Sequence, residues 1–321
     1  MIKIAVDLKG ADRPQNELVC GALAAVKETD DLFVYLCGDK SVLEPYIDGT
    51  ERIEIIDAPG VITNNEDPTE AFRNKKDSSL VRGIALCKND PDIGGFVTCG
   101  ATGAVFVTAM MLLGRIARVS PMLLVELKKA DGSPLCIVDC GANVDCRPEK
   151  LVDFARMGIA YMKAVGVAEP KVGLLSNGAE DKKGNAVTKA ANELLRADIP
   201  AFDGNVEGTS VLTGNSDIIV CDGFSGNILL KTLEGSAKAV LSQLRAMPGV
   251  ESAVGDSLDK LYTLYDYNSQ GGAVLLGTKL PVIKGHGAAN AETIRNIVLS
   301  AYRLAKNGLT DKIEAEFAAR V

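Results

Sequence analysis

The stretch LCIVDCGANVDCRPEKLVDFARMGIAYMKAVG, residues 135–166, holds the pattern that decides the fold. It opens with a nearly continuous apolar run, breaks into Gly, Asn and Asp over VDCGANVD (138–145), and continues with apolar residues at helical spacing. An apolar run without polar alternation is typical of a strand that is covered on both faces. The stretch therefore predicts a buried strand, a turn at the carboxyl end of this strand, and a helix.

The same order recurs on both sides of this stretch. Further strands are predicted at IKIAVD (2–7), LFVYLCGD (32–39), RIEIIDAP (52–59), GGFVTCG (94–100), MLLVELK (122–128), KVGLLSN (171–177) and DIIVCDG (217–223). Helical periods lie between them, for example in ELVCGALAAVKET (17–29) and SSLVRGIALCK (78–88). Strands that alternate with helices predict a three-layer α/β/α fold with a mostly parallel sheet. Without a visible linker or repeat, we treat residues 1–321 as a single unit, with a helical hairpin at about 226–265.

The composition excludes several classes of protein. The 35 basic and 42 acidic residues give a net charge of −7, which argues against a nucleic-acid binder. The chain has one histidine, His286, so a zinc site built on several histidines is excluded, and we expect no metal. The eight cysteines form no CxxC pair and are interpreted as reduced thiols of a cytoplasmic protein. The N-terminus shows no signal peptide, and the longest apolar stretch (103–114) is too short to span a bilayer and predicts a buried helix.

The predicted strands end in turns that are rich in Gly, Asn and Asp. There are seven such turns: VDLKGAD (6–12), TCGATGA (98–104), VDCGANVD (138–145), LLSNGAEDKKGN (174–185), FDGNVEG (202–208), CDGFSGN (221–227) and KGHGAAN (284–290). In a parallel sheet the carboxyl ends of the strands share one side, where ligands bind. Helices that begin after such turns direct free N–H groups at a phosphate. Neither GxGxxG nor a Walker A sequence is present, so the turns do not predict a nucleotide cofactor.

Two of these turns carry side chains suited to chemistry on a phosphate. In GAEDKKGN a lysine would neutralise a phosphate, or the segment is a solvated turn with Asn185 as helix cap. In CDGFSGN, Asn227 would donate its amide to an oxyanion, or it caps the next helix. His286 either binds phosphate or carries a proton, or it holds its turn. The basic patch from Arg73 to Ser79 attracts an acidic partner or is a solvated face.

With these residues considered, the chain resembles the PlsX family of bacterial phosphate acyltransferases nearly end to end. The most specific stretches are GANVDCRPEKLVDFARMG, LLSNGAEDKKGN, GNVEG, DGFSGNILLKTLEGSA and GGAVLLGTKLPVIKGHG. The resemblance implies transfer of a fatty acyl group from acyl carrier protein to inorganic phosphate, which yields an acyl phosphate for phospholipid synthesis. It also implies a fold similar to the isocitrate and isopropylmalate dehydrogenases, a homodimer, and no cofactor.

The resemblance also implies roles for individual residues. Lys183 would bind and neutralise phosphate, and Asn227 would donate to the tetrahedral oxyanion. Further residues would line the crevice or position phosphate or the acidic carrier: Asp7, Gly10, Lys75, Lys76, Ser78, Ser79, Gly100, Thr102, Gly103, Asn143, Asn185, Asp222 and His286.

The chain departs from the family pattern at several of these turns. DLKGAD stands where the family has DAMGGD, and HGAAN stands where it has HGSS. CGATGA stands for AGNTGA, so Ala101 replaces an Asn. The amphipathic stretch before YDYNSQGG is shorter than usual, which predicts at most weak peripheral membrane contact. Two alternatives stay open at this point: a short-chain phosphotransacylase that forms acetyl phosphate, and a non-catalytic ligand-binding paralogue.

Overall fold

The computed structural model describes residues 1–47, 49–116, 119–265 and 271–318. The strands in chain order are β1 (Ile2–Asp7), β2 (Leu32–Gly38), β3 (Ile53–Asp57), β4 (Ile93–Thr98), β5 (Met122–Lys128), β6 (Pro134–Val138), β7 (Val172–Ser176), β8 (Phe202–Glu207), β9 (Ile218–Val220), β10 (Ala273–Leu276) and β11 (Val282–Lys284).

The helices, in the same order, are α1 (Gln15–Lys27), α2 (Lys40–Ile47), α3 (Pro68–Asn74), α4 (Ser79–Asn89), α5 (Thr102–Leu112), α6 (Pro148–Ala164), α7 (Ala186–Asp198), α8 (Gly223–Ala246), α9 (Val250–Tyr265), α10 (Ala291–Lys306) and α11 (Leu309–Ala318). The elements group into two compact units. The first comprises the described residues of Met1–Pro121 together with residues 271–318, and the second comprises residues 122–265.

The first unit has a sheet in the order β3-β2-β1-β4-β11-β10. All neighbours in it are parallel except the antiparallel pair β10–β11. Helix α4 approaches one face, where a Cβ at Gly83 would lie 2.4 Å from the Phe96 ring. Helix α10 packs against the neighbouring residue Gly95 through Ala301. Because consecutive strand residues point to opposite faces, these contacts cover the sheet on both sides.

The second unit has a sheet in the order β5-β6-β9-β7-β8, in which only β5–β6 is antiparallel. Helix α6 packs on β9, where a Cβ at Gly158 would lie 2.7 Å from Ile218. Helix α7 packs on β7 and β8, and α8 packs on β6 and on α9. The strands β6, β7 and β9 run parallel, so their carboxyl ends share one edge of the sheet.

The predicted α/β class with a mostly parallel sheet is confirmed, and two local predictions are wrong. The segment FDGNVEG is not a turn at a strand end, because Phe202–Glu207 forms the edge strand β8. Of the stretch 103–114, residues 103–112 lie in α5, but this helix is buried on one side only, and Met111 is 64% exposed. Within the described parts of the chain, none of the helices combines the length and the apolar character needed to cross a membrane.

Candidate active site

A cavity of about 460 Å³ lies at the carboxyl ends of β7 and β9 in the second unit. Its lining is mostly small and polar, and it consists of Leu175, Ser176, Asn177, Gly184, Asn185, Thr188, Cys221, Asp222 and Ser225. These residues come from the turn before α7 and from the turn before α8, two of the turns that the sequence singles out. The cavity therefore lies between two helix N-termini, where unpaired backbone N–H groups favour an anion.

The turn before α7 is fixed by Gly184 and Asn185. Asn185 caps the helix, since its Oδ1 accepts from the backbone N–H of Thr188 at 2.9 Å. Gly184 has φ +108°, and a Cβ there would lie 2.2 Å from Thr188 Oγ1. Only glycine fits this backbone, so the turn brings α7 directly to the cavity wall. Asn185 thus lines the cavity while its side chain serves the helix.

Lys183 precedes this turn as an exposed side chain. Its stem folds over Gly178, where a Cβ would lie 2.6 Å from Lys183 Cγ. The neighbouring carboxylate of Asp181 is paired with Arg196 at 2.6 Å. Lys183 itself forms no salt bridge with any residue in the described ranges. Its charge is therefore free to act on a ligand.

The turn before α8 is closed by Asp222. Its carboxylate accepts from the backbone N–H of Ser225 at 2.7 Å and from Ser225 Oγ at 3.0 Å. The N–H of Gly223 donates to the carbonyl of Asn143 at 2.7 Å. A Cβ at Gly226 would lie 2.0 Å from the carbonyl oxygen of Asp139. The first turn of α8 is therefore seated tightly against the loop that follows β6.

Buried Asp139 organises that loop. Its carboxylate accepts from the backbone N–H groups of Leu123 (2.8 Å), Ala142 (3.1 Å) and Asn143 (2.6 Å). It also accepts from Asn143 Nδ2 at 2.9 Å, and Asn143 Oδ1 in turn accepts from Lys150 Nζ at 3.2 Å. The side chain of Asn143 is thereby held between a carboxylate and an ammonium group. Asn143 is placed to shape the loop more than to contact a substrate.

Asn227 lies beside the same loop. A Cβ at Gly141, which has φ +122°, would lie 3.8 Å from Asn227 Cγ. The cap of α8 is Asp222, so the alternative role of Asn227 as a cap is not the one observed. No hydrogen bond of the Asn227 side chain occurs within the described residues, so its amide can serve as a donor.

The first unit gathers a second set of predicted residues at the ends of β1 and β4. Buried Asp7 accepts from Thr98 Oγ1 at 2.8 Å and from the backbone N–H of Lys9 at 3.0 Å. Burial raises the pKa of Asp7, against the effect of hydrogen bonds from Ser79, Lys9, Thr98 and Gly10. A Cβ at Gly10 would lie 2.5 Å from Gly100 Cα, so the two glycine turns touch.

The residues of the basic patch have separate structural roles. Buried Ser78 caps α4 through Val81 N and donates to the carbonyl of Lys75 at 2.8 Å. Lys75 Nζ pairs with Glu66 at 2.6 Å, and this hydrogen bond, together with those from Thr63, lowers the pKa of Glu66 to about 2. The side chain of Lys76 is exposed, and its Nζ lies 3.5 Å from the centre of the Phe72 ring. Of the two lysines of this patch, Lys75 is paired with a carboxylate, whereas the exposed Lys76 forms no salt bridge with a residue in the described ranges.

The remaining predicted residues of the first unit lie at turns. His286 is exposed, and its Nδ1 accepts from the N–H of Ala288 at 3.1 Å, which holds the turn. Thr102 and Gly103 are exposed at the start of α5. Ala101 is the N-cap of this helix and supplies no side-chain cap.

Sequence reasoning did not single out Asp139, Lys150, Thr98 or Ser176. Asp139 follows an apolar run, as Asp7 and Asp222 do, so its position was a usable signal. Thr98 pairs with Asp7, which is 91 residues away in the chain, and Lys150 pairs with Asn143, which is 7 residues away in the loop before α6. Pairings of this kind depend on the fold and carry no local sequence signal.

Comparison with known proteins places the chain among acyltransferases. The family model described as "Fatty acid synthesis protein" matches residues 2–312. A phosphate acyltransferase of Geobacillus thermodenitrificans is 40% identical, with 98% of each chain covered. A phosphate acyltransferase of Clostridium novyi is 36% identical over 100% of both chains.

Solved structures share the fold at low sequence identity. A phosphotransacetylase from Streptococcus pyogenes superposes with a TM-score of 0.64 at 18% identity, covering 95% of this chain and 94% of that one. A 4-hydroxythreonine-4-phosphate dehydrogenase from Klebsiella pneumoniae gives 0.57 at 13% identity, covering 95% and 100%. The full-length sequence matches confirm the resemblance drawn from the motifs: the chain belongs to the fatty acid synthesis protein family, the PlsX family of phosphate acyltransferases.

Proposed function

We propose that the protein transfers an acyl group from the thioester of acyl carrier protein to inorganic phosphate and releases an acyl phosphate for phospholipid synthesis. The observation that carries this proposal is the cavity at the N-terminus of α7, whose lining residue Gly184 directly follows Lys183 in the chain. Helix N–H groups and a lysine together attract a phosphate. The names of the curated relatives support the same reaction.

The chemistry requires positioning and charge stabilisation. A phosphate oxygen attacks the thioester carbonyl carbon, a C–O bond forms, and the C–S bond breaks. The proton of hydrogen phosphate passes to the leaving sulfur, so the products are an acyl phosphate and a free thiol. Holding phosphate against the thioester replaces a bimolecular encounter and lowers the barrier through orientation.

Lys183 and Asn227 have different roles in this reaction. Lys183 balances the charge of the phosphate nucleophile, since no described residue neutralises this lysine. The amide of Asn227, seated beside the Gly141 turn, donates to the oxyanion of the tetrahedral intermediate. Donors that are already oriented act without reorganising during the reaction.

An acidic carrier needs a local basic surface on a chain with a net charge of −7. The exposed Lys76 and its neighbour Arg73 supply such a surface at the end of α3. Acyl carrier protein would dock on this surface.

We also propose a cytoplasmic homodimer with weak peripheral membrane contact. Apolar side chains stay exposed along α8 and α9: Phe224 (59%), Ile228 (50%), Val240 (56%), Met247 (52%) and Val254 (43%). Exposed apolar patches of this kind mark association surfaces. Light scattering of the purified protein at several concentrations gives its mass, and a monomer throughout would refute the dimer.

The proposed activity is tested by mixing the protein with phosphate and acyl donors and trapping acyl phosphate as a hydroxamate. We expect product from long-chain acyl carrier protein, and none without phosphate. Faster transfer from acetyl donors would favour a short-chain phosphotransacylase instead. Absence of product with every donor would refute the proposal and leave a non-catalytic ligand-binding protein.

A further inference from the structure

Ser176 is the last residue of β7 and lines the cavity. Its Oγ is buried and has no hydrogen-bond partner among the described residues. Most buried polar groups in proteins are paired, because an unpaired hydroxyl costs free energy. The other two side-chain hydroxyls of the cavity wall are already bonded, Ser225 Oγ to Asp222 at 3.0 Å and Thr188 Oγ1 to the carbonyl of Asn185 at 3.1 Å. We therefore expect a ligand to pair with the Ser176 hydroxyl.

The surroundings of Ser176 define the chemistry of this ligand. Gly184 lies beside it: a Cβ there would lie 3.3 Å from Ser176 Oγ and 2.2 Å from Thr188 Oγ1, so only a residue without a side chain fits next to the hydroxyl. The first turn of α7 adds backbone donors, and the exposed Lys183 directly precedes the lining residue Gly184 in the chain. Asp222 also lines the cavity, and its carboxylate accepts from the backbone N–H and the hydroxyl of Ser225. Hydrogen phosphate matches this arrangement, since its oxygens accept from hydroxyl and N–H groups while its own hydroxyl donates to a carboxylate.

We propose that the Ser176 hydroxyl donates a hydrogen bond to the inorganic phosphate nucleophile and so sets the affinity of the enzyme for phosphate. This inference rests on the proposed function. It adds a residue that contacts the phosphate and that was identified neither by the sequence motifs nor by the caps of α7 and α8. The Ser176 hydroxyl is a neutral donor, so it adds a directed hydrogen bond to the attraction that the charge of Lys183 exerts on the phosphate.

Thr108 offers a matched comparison. Its Oγ1 is also buried without a partner among the described residues, but it lies inside α5, where the neighbouring positions Val105 and Ala109 are buried and apolar. Removing either hydroxyl takes away an unpaired buried group, so neither change should lower stability. Only the loss of Ser176 should alter the kinetics with phosphate.

The test compares Ser176→Ala with Thr108→Val in the full chain. We expect Ser176→Ala to raise the KM for phosphate about tenfold, with an unchanged KM for the acyl donor and an unchanged or higher Tm. Thr108→Val should leave both KM values unchanged. An unaltered KM for phosphate in Ser176→Ala would overturn the inference, and so would a lower Tm with both KM values raised, which indicates a structural role.

A second readout uses inorganic phosphate without an acyl donor. Ligand binding raises Tm, so phosphate should stabilise the wild-type protein and stabilise Ser176→Ala much less at the same concentration. Equal stabilisation of the two proteins, together with acyl phosphate formation by the wild type, would overturn the role of Ser176 and leave the proposed function standing. No stabilisation and no acyl phosphate in the wild type would refute the proposed function and this inference with it.

Discussion

Single residues show why a motif and a structural role can coincide. Asn185 lines the cavity, as the motif implies, and its side chain also caps α7. Ser78 and Lys75 belong to the predicted patch, yet their polar atoms are engaged by a helix cap and by Glu66. The identity of a residue indicates which bonds it can make, whereas the folded neighbours decide which bonds it makes. Ser176 is the converse case, a hydroxyl that the described part of the fold leaves unpaired.

At the start of α5, Ala101→Asn should stabilise the protein. The N-cap Ala101 accepts no hydrogen bond through its side chain, and Asn is among the preferred caps. We expect a gain of about 1 kcal/mol in the free energy of unfolding by urea. Ala101→Val, which cannot cap, is the control, and equal stabilities of the two variants would contradict the prediction.

The Glu66–Lys75 pair should make stability depend on acid pH. The pKa of Glu66 falls from 4.5 to about 2 in the folded protein, so folding binds fewer protons at this group. Its stabilising contribution is present above pH 4.5 and is lost as the pH falls toward 2. Unfolding by urea at several pH values should show a smaller acid loss in Glu66→Gln than in the wild type. Identical pH profiles for the two proteins would contradict this.

At the scale of elements, the strand, turn and helix order was predictable where one apolar run forms one buried strand. The edge strand β8 was not, because Asp203, Gly204 and Asn205 resemble turn residues and only pairing with β7 makes them a strand. The antiparallel pairs β5–β6 and β10–β11 also escaped prediction. An apolar run looks the same whether its strand pairs in parallel or antiparallel, so the partner strand determines the direction of pairing.

Gly184→Ala should damage the turn that opens α7. The substitution strains a backbone at φ +108° and places Cβ 2.2 Å from Thr188 Oγ1. We expect a lower Tm, a loss of more than about 1 kcal/mol of stability, and weaker phosphate binding. Gly204→Ala is the matched control, since φ is +109° but a Cβ there would have no atom of the described residues within 4 Å. Equal losses in both variants would mean that the backbone strain alone matters.

At the scale of the whole molecule, the alternation of strands and helices was enough to predict the α/β class, and the ordered motifs were enough to predict the family. The single-unit interpretation of residues 1–321 stays a prediction, as do the roles of the individual site residues. The contacts of Asp139 with Leu123 and Asn143 show why the site could be predicted only in part. These hydrogen bonds join segments through backbone N–H groups, so the residue types in the sequence do not indicate them.

The distribution of charge over the molecule predicts how the carrier docks. Lys76→Glu should raise the KM for acyl carrier protein severalfold, and the effect should shrink at high salt, because a local positive charge steers an acidic partner. Lys88→Glu makes the same charge change at the far end of α4 and should have little effect. Equal KM values for the two variants would contradict docking at Lys76.

We propose that the second unit uses Lys183 to direct phosphate at an acyl thioester. The most direct measurement is the rate of phosphate-dependent acyl hydroxamate formation by Lys183→Ala and by Lys182→Ala, its exposed neighbour in the same turn. For Lys183→Ala we expect a rate at least about 100-fold below wild type, and for Lys182→Ala a rate near wild type, because in this role Lys183 alone is an electrostatic group of the active site. A Lys183→Ala rate within about twofold of the wild type would contradict it.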